Sequence, residues 1–316
     1  MTRFRRAVRL ILFVFGIVAG LVGFLTAYFV RMLVRPPRQR LWANPADLGL
    51  RFHDIQFPAR DGLRVSGWLV PAPAPVEQAP TLILVHGWPW NRLGTAAANL
   101  WSDLPGSEPI QLLPLVLALH RRGYQLLLFD QRNHGVSAAA GPHSFGLHEA
   151  NDLLGALDYL QARKDIDMNR VGVIGFSSGA NTVLFALART DQIAAAVAVQ
   201  PTSPTVFARR YARYLLGPLS RLVQPLVELG YRLFGGLRLG AVEPMFAVAG
   251  AGQTPVLYIQ GEGDPWGSAA NVSRMADVTS GPVQLRLVPS SDRHGGYQYA
   301  IDHPDELDAF LRQYLK

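Results

Sequence analysis

The sequence predicts an α/β fold: an open, doubly wound, mostly parallel sheet with an inserted helical lid, preceded by one transmembrane helix. Three observations predict it. From residue 81 onward, apolar runs of strand length alternate with helical stretches. A gap of more than 50 residues, between 199 and 255, interrupts that rhythm. A stretch of 21 residues near the N-terminus carries no charge. With 316 residues, 49% of them hydrophobic, the chain can bury one large core.

The uncharged stretch is Leu10–Val30, "LILFVFGIVAGLVGFLTAYFV". As a helix rising about 1.5 Å per residue it spans roughly 31 Å, close to the ~30 Å hydrocarbon thickness of a bilayer. It is long for a signal-peptide core and has no convincing small-x-small cleavage site, so a retained anchor is expected. Residues 1–9 then form a basic tail, and 31–48, with two adjacent prolines, a stiff linker. Four Arg precede the span and four follow it within ten residues, so the positive-inside rule does not orient it. The tendency of short N-terminal tails to stay inside favours an extracytoplasmic domain. The preponderance of Arg over Lys points to a GC-rich bacterial genome, hence to a bacterial cytoplasmic membrane.

The domain proper is read over 49–316. "FHDIQFPA" (52–59) and "LRVSGWLV" (63–70) alternate like paired strands across the turn Arg60-Asp61-Gly62, and 71–80 is a Pro-rich loop. Six apolar runs follow, at 81–86, 125–130, 170–175, 194–199, 255–261 and 283–289, as strands buried on both faces. Helices are expected at about 111–122, 147–163, 178–189, 266–277 and 303–315. This alternation defines the doubly wound sheet. In the gap, Leu222, Leu226, Leu229 and Leu233 form a helical stripe over 219–234, bent at Pro225. Residues 201–242 hold six Arg and one Glu. The whole insertion, about 201–254, is placed as a lid, because ligands of such sheets bind outside the carboxyl ends of the strands.

The stretch "VGVIGFSSGA" (171–180) carries the chemistry. Gly175-Phe176-Ser177-Ser178-Gly179 is a G-x-S-x-G motif, directly after a strand and directly before a helix. The chain must turn sharply there to project the central hydroxyl, so the residues two before and two after must lack a Cβ. Glycines flank Ser177 at those positions; Phe176 and Ala180 flank Ser178. Ser177 is therefore the candidate nucleophile. It needs a base, and the base needs an acid, in the chain order serine, acid, histidine. Glu262 and Asp264 follow one later strand, and His294 follows the last one. The Ser178 N–H is one expected oxyanion donor. The other is the Trp88 N–H, since Pro89 has none. Trp88, Trp90 and Phe176 are expected to line the substrate site.

At these residues the sequence resembles the α/β-hydrolase superfamily, in its dienelactone-hydrolase and acyl-peptidase-like branch. "LILVHGW" resembles the oxyanion-strand motif, "LLLFDQRNHGVS" the D-x-R-G-H-G-x-S loop, "GEGDPW" the acid loop and "RHGGY" the histidine loop. The resemblance runs from about residue 50 to 316 and selects Asp264 over Glu262 as the acid. Asn133 stands where the loop pattern has Gly; Asn tolerates left-handed backbone.

The implied function is a membrane-anchored serine hydrolase acting on an acyl bond, a carboxylic ester first, of a small-molecule or lipid-like substrate. An acyltransferase or a peptidase would use the same triad, and a non-catalytic tethered binding protein would need none. The absence of cysteine excludes thiolate chemistry and disulfides. The net charge of +7 resides at the N-terminus: without its eight Arg, 22 basic side chains face 23 acidic ones, which removes the case for nucleic acid. No dinucleotide fingerprint or metal-spaced cluster is present, so no cofactor and no metal is expected. His86 and His134 are read as holding loop backbone, His53, His120, His143 and His148 as surface or structural, and His303 as a helix-start residue.

Overall fold

A computed structural model describes residues 2–73 and 79–316; part of the Pro-rich loop read over 71–80 falls outside them. The element order is α1 (Thr2–Val34), β1 (His53–Pro58), β2 (Arg64–Val70), β3 (Thr81–Val85), a short pair β4 (Gly94–Thr95) and β5 (Ile110–Gln111), α2 (Leu113–Arg121) and β6 (Gln125–Asp130). Then come α3 (Ala150–Gln161), β7 (Val171–Phe176), α4 (Ser178–Leu187), β8 (Ala195–Val199), α5 (Pro204–Leu216), α6 (Ser220–Leu233) and α7 (Pro244–Ala249). The chain ends with β9 (Val256–Gly261), α8 (Ala269–Val278), β10 (Val283–Val288), α9 (Arg293–Asp302) and α10 (Pro304–Tyr314).

The apolar runs form one eight-stranded sheet in the order β1-β2-β6-β3-β7-β8-β9-β10. From β6 to β10 every neighbouring pair is parallel; β2 runs against both β1 and β6. One core layer, built on Leu153, Leu157, Val183 and Met275, covers one face, and another, built on Leu115, Val116, Phe310 and Leu311, covers the other. The strands in the middle are buried along their whole length, as continuous apolar runs require. The edge strand β10 departs from that expectation: only Val288 of its six residues is buried. The helix α9 was not read from the sequence, because its "RHGGYQYAID" has no apolar period.

Two further differences matter for function. The charge-free stretch extends into a helix of 33 residues, of which Phe4–Val34 is the one helix among the described residues long and apolar enough to cross a membrane. Its last turns do not lead into a free linker. Met32 is fully buried against Trp88, Leu104, Tyr211 and Trp266, and the Leu33 carbonyl accepts from the His143 N–H at 2.9 Å. Beyond it, Gln39 is buried and donates to Asp103 at 2.7 Å. The second difference concerns α6. It forms as predicted, with Pro225 inside it, but the leucine stripe faces outward: Val223 and Tyr231 are its buried residues.

Candidate active site

The elbow after β7 puts Ser177 at φ +55°, ψ −120°, a conformation side chains rarely adopt. Its N–H donates to Val199 O at 2.9 Å and its carbonyl accepts from the Asn181 N–H at 3.1 Å, so neighbouring elements hold the strain in place. Both flanking glycines are sterically required. A Cβ on Gly175 would lie 2.5 Å from Gly179 O, and one on Gly179 would lie 2.3 Å from the carbonyl oxygens of Val85 and His86. Ser178 opens α4, where an N–H has no acceptor within the helix. Its hydroxyl is buried without a partner among the described residues.

The loop carrying Trp88 is fixed by His86. The ring Nδ1 lies 2.7 Å from Gly87 O, while Nε2 accepts from the Gln131 N–H at 3.0 Å. These partners assign the proton to Nδ1. Burial drives the His86 pKa down to about 4, although Asp130 pulls the other way, so the ring is neutral. Asp130 itself accepts from the Arg92 N–H and guanidinium and from the Val136 N–H, at 2.7–2.9 Å. Asn133 takes φ +70°, the left-handed geometry expected of it.

Asp264 is buried and Glu262 is exposed, which separates the two candidate acids. The Asp264 carboxylate accepts from the Trp266 N–H at 2.8 Å and from Gln260 Nε2 at 3.2 Å. Between it and the serine stands Arg293. Its Nη1 donates to Asp264 at 2.5 Å, its Nη2 to Ser177 Oγ at 3.2 Å and to Gln200 O at 2.8 Å, and its Nε to the Tyr297 hydroxyl. Burial acts against the Arg293 charge, but Asp264 and Tyr297 outweigh it and hold the guanidinium above its usual pKa. Burial also raises the Tyr297 phenol, against the pull of Arg293 and of its contact with Ser177.

His294, expected in that place, is not brought to Ser177 or Asp264. Its Nε2 lies 3.1 Å from Pro109 O and its Nδ1 3.5 Å from the Glu108 carboxylate. The reason is helical phase. Asp292 caps α9 by accepting from the Gly295 N–H at 2.7 Å, so the helix begins at Arg293. Arg293 and Tyr297, four apart, share its inner face, and His294 is turned roughly 100° away. The Arg four residues before a Tyr was the available signal for this pair.

A pocket opens over Ser177, lined among others by Trp88, Trp90, His143, Phe207, Trp266 and His294. Phe176, expected on its wall, is instead fully buried in the core beneath Trp90 and Tyr297. It is the last residue of β7, and its side chain points away from the face on which the elbow presents Ser177. A buried pair missed by the sequence reading backs the pocket. The His143 ring stacks on Trp88 at 5.3 Å, and its Nδ1 lies 3.2 Å from the Glu149 carboxylate. The Trp88 indole N–H is buried without a partner among the described residues.

A family model described as alpha/beta hydrolase fold matches residues 80–243, just over half of the chain, and the chain belongs to that family. The uncharacterized protein YfhR of Salmonella typhi is 30% identical over 178 residues, 56% of this chain and 53% of that protein. The chain thus spans about half the length of that relative. YfhR of Escherichia coli K12 is 25% identical over 253 residues, 76% of this chain and 75% of that protein. Among solved structures, an esterase from Pyrococcus furiosus matches with a TM-score of 0.69 at 22% identity, covering 90% of this chain and 99% of that one. At that identity the likeness speaks for the fold.

Proposed function

We propose that this protein hydrolyses an acyl ester with Ser177 as nucleophile, and that α1 holds it at a membrane. The strained elbow carries the reading: the turn holds Ser177 in a rarely adopted backbone conformation and presents its hydroxyl to a pocket. The Ser178 and Trp88 N–H groups are assigned to the oxyanion, and one such donor contributes about 2.7–4 kcal/mol to the transition state. Asp264 supplies the orienting negative charge.

The base is the distinctive part. Arg293 holds its proton and the raised Tyr297 phenol keeps its own, so neither removes the serine proton near neutrality. Of the two imidazoles on the wall of the same pocket, His143 is taken up by Glu149 and Trp88, and we assign the base role to His294. That role requires His294 in place of Arg293 between Ser177 and Asp264, and we propose that a rearrangement of the turn Ser290-Ser291-Asp292 brings it there. Water then releases the acyl group from Ser177. The decisive experiment is labelling with a fluorophosphonate: an adduct on Ser177, lost in His294→Ala, supports the assignment. Product analysis with added alcohol separates hydrolysis from acyl transfer.

Arg293 in the base position favours a second reading, in which the pocket binds an acyl compound without turning it over. No adduct on Ser177 in folded protein and no release from p-nitrophenyl acetate, together with saturable binding of an acyl compound, would establish it.

A further inference from the structure

Beside the Ser177 pocket lies a second cavity, walled by α1 and by the two consecutive helices α5 and α6. Phe29 and Leu33 come from α1, Ala208, Tyr211 and Ala212 from α5, and Val223 and Val227 from α6. Its surface is almost wholly apolar; Gln224 and Glu228 on α6 are its polar exceptions. The tyrosine hydroxyls at its edge are engaged elsewhere, Tyr211 with Pro105 O at 2.9 Å and Tyr231 with His143 O at 2.6 Å. Trp88, Leu104, Phe145 and Phe207 line both cavities, so the two share a wall.

We propose that this second cavity binds the acyl chain of a membrane lipid ester, entering from the bilayer side. The ligand class rests on the acyl-ester reading of Ser177; the cavity's affinity for a hydrocarbon chain does not. Three observations carry the proposal. The cavity adjoins the Ser177 pocket at Trp88, Leu104, Phe145 and Phe207, so a chain reaching past these residues would bring its carbonyl end toward Ser177. The helix that walls the cavity with Phe29 and Leu33 is the one that continues outward as an exposed apolar span, Leu10, Ile11, Leu12 and Phe13 being 62–66% exposed. Finally, α6 packs directly on α1 at Gly230, where a Cβ would meet Val30 Cγ2 at 2.7 Å. Its outward stripe therefore extends the apolar surface of α1: Leu222 is 56% and Leu233 75% exposed. An exposed apolar stripe on a helix with arginines, Arg221 and Arg232 here, is the signature of a helix lying in a membrane interface. The same basic surface suits anionic headgroups.

The test uses the full chain in phosphatidylcholine–phosphatidylglycerol nanodiscs, with cis-parinaric acid as the probe. Saturable binding is expected, retained in Ser177→Ala and weakened at least tenfold in Ala208→Trp and in Ala212→Trp, which fill the cavity. The ratio of p-nitrophenyl decanoate to acetate turnover should fall at least tenfold in the same two variants. Absence of saturable binding by the unmodified protein overturns the proposal without recourse to variants. So does unchanged binding in folded Ala208→Trp. Tryptophan-sensitive binding with no hydrolysis of either ester sinks the hydrolase reading and leaves the cavity assigned.

Discussion

The Arg293 guanidinium donates to the Asp264 carboxylate at 2.5 Å, both side chains buried. In this structure the negative charge of Asp264 is thus neutralised by the Arg293 cation that stands between it and Ser177. Removing one partner strands the other. Arg293→Met should destabilise the protein by about 3–5 kcal/mol in urea denaturation, the usual cost of an unpaired buried charge. Arg293→His should act the opposite way on chemistry. It puts an imidazole directly between Ser177 and Asp264, and p-nitrophenyl acetate kcat/KM should rise at least tenfold. A fall in activity with the fold intact would show that the guanidinium itself takes part.

The two serines of the elbow should behave unequally. Ser177→Ala should abolish turnover and fluorophosphonate labelling. Ser178→Ala keeps its N–H and removes a buried hydroxyl without a partner, so activity and melting temperature should remain close to those of the parent. Equal loss from both would contradict the reading of the turn.

Stability should decline on mild acidification. His86 has a folded pKa of about 4 against about 6.5 unfolded, and His134 is lowered well below its usual value by burial and by the neighbouring His86 and His143. The unfolded chain binds the extra protons, so this stabilisation is complete above pH 6.5 and is lost as pH falls to about 4. His86 alone accounts for roughly 3 kcal/mol over that window. Thermal melts from pH 7 to 4 should show the decline, and His86→Gln should flatten part of it.

Gly179→Ala should be among the most damaging single-methyl additions in the chain. The new Cβ meets two backbone carbonyls at 2.3 Å, that of Val85 at the end of β3 and that of His86, which accepts from the Gln131 side chain. Little folded protein should be recovered, whereas Gly123→Ala, with open space around it, should cost only the strain of its positive φ.

Met32→Ala should cost about 2–5 kcal/mol, as expected for emptying a fully buried site. The mature protein should retain residues up to Val34, which intact-mass measurement would check. A mass corresponding to cleavage within residues 10–34 would rule out the anchor.

Most of the sheet was legible because its strands are uninterrupted apolar runs, and because Gly175 and Gly179 bracket Ser177 so closely. What was not legible depended on phase. His294 and Arg293 are neighbours in sequence, and only the start of α9 at the Asp292 cap decides which one faces inward. Phe176 was misplaced by the same one-residue alternation, along a strand. The leucines of α6 were recognised as a stripe, but a stripe does not state whether protein or lipid covers it. Residues 31–48 were composed like a linker, and only Met32 and Gln39 in their buried sites show that they are strapped to the domain.

The burial of Met32 beneath Trp88 also ties the N-terminal helix to the wall of the pocket over Ser177. Loss of residues before Val34 would remove Phe29 and Leu33 from the wall of the second cavity and Met32 from beneath Trp88, so a chain truncated there should differ in its apolar binding from the full-length protein.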